Sequence, residues 1–66
     1  MDLEQAISLI KNIVKNNGTN DTNHIDIGLV AADERPQYEK ALKVVKLAIL
    51  EGKISQDDFA SRVNLN

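Results

Sequence analysis

Cysteine is absent from this 66-residue sequence, and the only aromatic residues are Tyr38 and Phe59. Without cysteine the chain has neither disulfide bonds nor thiolate metal ligands, which is typical of proteins in the reducing cytoplasm. The core has to be built from isoleucine, leucine, valine and alanine. A domain of this length buries only about 60% of the surface that its unfolded chain exposes. We therefore expect one small domain, residues 1–66, that gains stability from self-association or from a partner.

The sequence also lacks a long apolar run and a strong charge of either sign. Its first stretch, MDLEQAISLIKNIVKNN, has early acidic residues and no uninterrupted apolar segment, so it predicts neither a signal peptide nor a membrane span. The formal net charge of −2 gives no general attraction to nucleic acid, because phosphate binding requires a concentrated positive surface. These features predict a cytoplasmic protein without a membrane partner.

Two of the predicted helices lie at the ends of the chain. Residues 2–16 form the first, because their apolar residues recur at the i, i+3, i+4 and i+7 positions of one helical face. Residues 56–63 form a short C-terminal helix with Ser55 as its N-cap. The Ser55 hydroxyl can accept a hydrogen bond from the Asp58 N–H, and the Asp58 side chain can reach back to complete a capping box. Phe59 is expected to close one end of the core.

The long helix is predicted over residues 34–51. It begins either with Asp33 as its cap or at Arg35, since a residue before proline is biased away from helical angles. Gly52 ends it, because glycine tolerates the left-handed conformation that closes a helix. The core-facing stripe of this helix consists of Tyr38, Ala41, Leu42, Val45, Ala48 and Ile49. This stripe is expected to pack against the apolar face of the first helix.

Leu47 and Leu50 form a second apolar direction on the long helix. At about 100° per residue, Leu47 points almost directly away from the core-facing stripe, and both leucines lie among Lys43 and Lys46. Exposed apolar side chains among charges indicate a contact surface, although packing against the first helix or against the Ile25 segment explains them equally well. We predict a partner-binding surface that consists of Leu47, Leu50, Lys43 and Lys46.

Residues 17–32 are predicted to form a loop followed by an extended arm. Asparagine, aspartate, threonine and glycine crowd the first half and favour turns. The second half, from Ile25 to Val30, alternates like a strand. It can pair across a dimer, lie as an extended arm on the helices, or begin a short helix at Leu29; we favour the arm. The sequence thus predicts an all-α fold of two longer helices and a short C-terminal helix, with the loop and arm between helices 1 and 2.

Residues suited to catalysis or to metal binding are few. His24 is the only histidine, and no nucleophile pattern accompanies it. Asp21, Asn23 and Asp26 bring oxygen ligands together, but they lack the regular spacing, turn glycine and closing glutamate of a calcium loop. The chain has no glycine-rich phosphate or dinucleotide motif. We expect no enzyme activity, no catalytic residue, no cofactor and no bound metal.

The C-terminal half resembles two kinds of helical module. Residues 42–63, with EGKIS at their centre, are similar to SHOCT, a short C-terminal module of bacterial proteins; this resemblance implies oligomerisation. Residues 54–65 resemble the second helix and turn of repressor-type helix-turn-helix domains, in which a recognition helix follows and enters the major groove. The second resemblance implies a DNA-binding regulator.

The function that the sequence predicts is that of a non-enzymatic interaction or regulatory module, which self-associates or binds a partner protein. The alternative is a small nucleic-acid-binding transcriptional regulator of the helix-turn-helix type. In that alternative the phosphates are met by Lys40, Lys43 and Lys46, which form a slanting row on the long helix.

Overall fold

The structure is a computed structural model, and it describes residues 1–18, 22 and 25–64. It contains α1 (Leu3–Asn17), a 3-10 turn (Ile27–Leu29), α2 (Arg35–Leu50) and α3 (Gln56–Val63). No strand occurs in the described residues. The predicted all-α fold of two longer helices and a short C-terminal one is confirmed. Each predicted helix end lies within one residue of the observed end, because apolar period and capping residues are local signals.

The first helix is the centre of the fold. Both α2 and α3 pack on α1, whereas α2 and α3 share few direct contacts with each other. The apolar face of α1 is buried at Ala6, Ile7, Ile10, Ile13 and Val14. The predicted packing of the first and long helices is confirmed, and α1 emerges as the element to which the other two helices attach.

The buried face of α2 is narrower than the predicted stripe. Tyr38, Ala41, Val45 and Ala48 are buried, while Leu42 and Ile49 pack against the core but stay half-buried. In α3 the fully buried residue is Val63, whereas Phe59 is half-buried at the edge of the core. Phe59 packs against the edge of the core as expected, and α3 is seated on α1 through the fully buried Val63, one turn further along.

Hydrogen bonds at the helix starts differ from the sequence prediction. Asp2 and Gln5 form a complete capping box on α1: Asp2 Oδ1 accepts from the Gln5 N–H at 2.8 Å, and Gln5 Oε1 accepts from the Asp2 N–H at 3.1 Å. On α3, Ser55 Oγ accepts from the Asp58 N–H at 3.0 Å. The described bonds contain no return bond from the Asp58 side chain, since aspartate is one methylene shorter than the usual glutamate or glutamine.

The end of α2 is closed by glycine, as predicted. Gly52 has a φ of 76°, and its N–H donates to the Ile49 carbonyl at 3.1 Å, while the Lys53 N–H donates to the Ala48 carbonyl at 2.9 Å. This pair of bonds is the Schellman motif, which satisfies carbonyls that the helix leaves free. It turns the chain so that the next residue, Ile54, is buried.

The connection between α1 and α2 is only partly extended. The Asp26 side chain accepts from the Gly28 N–H at 2.9 Å, and the chain folds into the 3-10 turn instead of continuing as an arm or strand. Ile25 packs against the core as expected, but Ile27 is exposed and Val30 is the buried residue.

Further hydrogen bonds hold both ends of this segment. The Asn17 side chain bonds the backbone of Asp26, and Arg35 Nε donates to the Val30 carbonyl at 3.1 Å.

No helix among the described residues is long and apolar enough to cross a membrane. The longest, α2, has 16 residues, whereas a spanning helix needs about 20 apolar residues.

Because α1 is central, truncation of Ile10 should destabilise the fold far more than truncation of an exposed residue. Ile10 is fully buried, so Ile10→Ala leaves a cavity between the helices and should lower the free energy of unfolding by about 2–5 kcal/mol. Urea unfolding followed by circular dichroism measures this loss. Leu29→Ala is the control, because Leu29 is 69% exposed and its truncation should change stability by less than about 0.5 kcal/mol. Equal losses in the two variants would contradict the packing.

Burial raises the pKa of Tyr38 above its ordinary value of about 10. The folded chain therefore holds the phenol proton at pH values where the unfolded chain has lost it, so the free energy of unfolding should fall as pH rises above about 10. Tyr38 is the only tyrosine, and the absorbance of tyrosinate follows this group alone. Relative to Tyr38→Phe, the wild type should lose stability only in that alkaline range; a titration midpoint at the ordinary value would refute the shift.

Candidate interaction surface

The four residues predicted to bind a partner lie together on the solvent side of α2. Lys43, Lys46, Leu47 and Leu50 occupy i, i+3, i+4 and i+7 positions, which is one helical face, and all four are exposed. We call this set the outer stripe. Leu47 is 57% exposed and Leu50 is 78% exposed. Neither α1 nor the Ile25 segment covers them, so the alternative explanation for these two leucines is wrong.

An apolar groove of about 430 Å³ lies between α2 and α3, next to the outer stripe. Its lining residues are Leu42, Val45, Lys46, Ile49, Leu50, Gln56 and Phe59. The groove exists because α3 packs on α1 and touches α2 only slightly, so the facing sides of α2 and α3 are left partly open. Leu50 and Lys46 belong to both the groove and the outer stripe, whereas Lys43 and Leu47 lie outside the groove.

Sequence reasoning missed Leu42, Ile49 and Phe59 as parts of this surface. All three were assigned to the core, and each is instead half-buried. One signal in the sequence pointed to this result: the C-terminal helix has eight residues, about 12 Å of helix, and cannot cover the whole side of a 16-residue helix. The exposed apolar surface is therefore wider than the four predicted residues.

The outer stripe carries two lysines, and the acidic residues Glu39 and Glu51 lie one helical turn from Lys43 and from Leu47. Within the described part of the chain, the ion pairs are Lys53 with Glu51 at 3.8 Å and Arg62 with Glu4 at 2.6 Å. The hydrogen bond with Glu4 raises the pKa of the Arg62 guanidinium and links α3 to α1. Neither Lys43 nor Lys46 has an ion-pair partner in those residues, and both ammonium groups border the apolar surface.

A larger cleft, of about 740 Å³, lies between α1 and the start of α2, and most of its lining residues are of polar types. It is lined by Glu4, Gln5, Ser8, Leu9, Asn12, Ile13, Asn16, Asp33, Glu34 and Gln37. Its lining contains carboxylates, amides and the Ser8 hydroxyl, and no histidine, lysine or cysteine.

The residues weighed for metal binding are only partly described. Asp26 uses its carboxylate to cap the 3-10 turn, while Asp21, Asn23 and His24 lie outside the described residues. In the ranges 1–18 and 25–64, no group of three or more histidine, cysteine, aspartate or glutamate side chains is placed to hold a metal ion.

No protein-family model, no curated protein and no solved structure matches this chain. The resemblances of residues 42–63 to SHOCT and of residues 54–65 to a helix-turn-helix stay predictions, based on the residues that carry them. The case for a function therefore depends on the surface of α2 and α3.

Proposed function

We propose that this protein is a non-enzymatic interaction module that self-associates through the outer stripe and the adjoining groove. The observation that supports this most directly is the exposure of Leu50, which is 78% exposed and continuous with the groove lined by Ile49 and Phe59. Contiguous apolar patches of this kind mark interaction sites on small soluble domains.

The energetic case rests on what a second copy would remove from water. Full burial of a leucine side chain is worth about 1.5–3 kcal/mol, and Leu47 and Leu50 are the most exposed large apolar residues of the three described α-helices. A two-fold contact uses the same patch on both copies, so each leucine contributes twice. For a chain that buries little of its own surface, this gain is large relative to a total stability of about 5–15 kcal/mol.

Polar substitution of the two leucines tests the proposal. The double variant Leu47→Gln/Leu50→Gln should weaken self-association at least about tenfold, and its helicity should stay unchanged because both side chains are exposed in the isolated chain. Sedimentation equilibrium over a range of concentrations measures the association, and circular dichroism measures the helicity.

The matched control is Leu29→Gln, which makes the same chemical change at a residue that is 69% exposed in the 3-10 turn, away from α2. It should self-associate like the wild type. A wild-type chain that stays monomeric at all concentrations would refute self-association, and a double variant that assembles like the wild type would refute this surface.

A nucleic-acid-binding regulator is the second candidate, supported by the exposure of Lys40, Lys43 and Lys46 along α2. The two functions respond oppositely to salt. Self-association brings lysines of two copies together, so screening by salt should strengthen it. Binding to nucleic acid releases counterions, so salt should weaken it steeply.

Charge reversal separates the two candidates. The triple variant Lys40→Glu/Lys43→Glu/Lys46→Glu should abolish a salt-sensitive shift of DNA or RNA in a gel, and it should leave the apolar contact of Leu47 and Leu50 available. In the wild type, three lysines on phosphates should contribute about 3 to the slope of log affinity against log salt. If the wild type causes no salt-sensitive shift, the nucleic-acid candidate is eliminated.

A further inference from the structure

An asparagine followed by a glycine ends α1, and hydrogen bonds hold both residues. Asn17 Oδ1 accepts from the Asp26 N–H at 2.9 Å, and Asn17 Nδ2 donates to the Asp26 carbonyl at 3.0 Å. Gly18 has the left-handed φ of 76°, and its N–H donates to the Lys15 carbonyl at 3.2 Å. In the folded chain, both the side-chain amide of Asn17 and the backbone N–H of Gly18 are therefore hydrogen-bonded.

Asparagine is chemically labile. Its side-chain amide can be lost by deamidation, in which the backbone nitrogen of the following residue attacks the side chain. Gly18 N attacks Cγ of Asn17, a new C–N bond closes a five-membered imide ring, and the Cγ–Nδ2 bond breaks. The proton of the Gly18 N–H leaves with Nδ2 as ammonia. Water then opens one of the two ring carbonyls, which yields aspartate or isoaspartate.

The site around Gly18 offers no steric protection against this reaction. Glycine has no side chain to hinder the attack. Among the described residues other than its chain neighbours, none has an atom within 4 Å of the position where a Cβ of residue 18 would stand. The protection that the fold provides is therefore conformational, and it consists of the bonds that keep the last turn of α1 closed.

We propose that Asn17 is a deamidation site gated by its two hydrogen bonds with Asp26. Attack requires the amide to leave Asp26 and the last turn of α1 to open, and helix ends open far more readily than a core does. Two ordinary hydrogen bonds slow such a reaction about 5- to 150-fold relative to the unfolded chain. The product places a carboxylate oxygen opposite the Asp26 carbonyl, so the reaction releases the loop from α1 and cannot reverse.

The direct test compares the full chain folded and in guanidinium, at the same pH and temperature. Peptide mapping by mass spectrometry should show aspartate and isoaspartate accumulating at Asn17 about 5- to 150-fold more slowly in the folded chain. Asn12 is the internal control, because the β-branched Ile13 follows it and hinders attack. Equal rates in the two states, or no product at Asn17 in guanidinium, would overturn the proposal.

A pair of variants tests whether the hydrogen bonds between Asn17 and Asp26 control the rate of deamidation. Asp26→Pro removes the N–H that bonds Asn17 Oδ1, at a residue whose φ of −92° lies within about 30° of that of proline. Asp26→Ala is the matched control: it removes the same carboxylate, which accepts from the Gly28 N–H, but keeps both backbone bonds to Asn17. In the folded state, deamidation should be about 2- to 13-fold faster in the proline variant than in the alanine variant. Equal rates in the two variants, with helicity intact in both, would exclude the gate.

Discussion

The burial of the apolar face of α1 is the constraint on which the rest of the structure depends. Ile10 and Val14 are fully enclosed, and each large aliphatic side chain that is removed from water contributes about 1.5–3 kcal/mol. Because α2 and α3 hardly contact each other, both are held in place through α1, with the Glu4–Arg62 pair as an additional link. Any change that weakens the face of α1 therefore loosens both neighbours.

The open groove follows from the same constraint. A helix of eight residues that is seated on α1 through Val63 cannot also cover the side of α2. The apolar residues of α2 that face α3 are thus enclosed only in part, and Phe59 is left beside them instead of above the core. The groove and the outer stripe are the part of the apolar content that two helices packed on one central helix leave open, and the position of the groove follows from the shortness of α3.

The sequence predicted the features that depend on neighbours a few residues away. The helix bounds, the glycine end of α2 and the outward direction of Leu47 and Leu50 all follow from period and capping, and they agree with the structure. The groove could not be predicted in this way, because it depends on the spacing between α2 and α3. The bonds between Asn17 and Asp26 join residues nine positions apart and have no periodic signature, so the fold of the connection was missed.

The distribution of charge also follows from the helices. Acidic residues occupy the first turns of α1 and α3, at Glu4, Asp57 and Asp58, where the positive end of the helix dipole favours them. The lysines of α2 do not lie in its last turn, where the negative end of the helix dipole would favour them. They extend along the exposed side of the helix, where Lys43 and Lys46 border Leu47 and Leu50. The protein thus has a formal net charge of −2, while the outer stripe itself carries two lysines, so the local charge there differs in sign from the net charge.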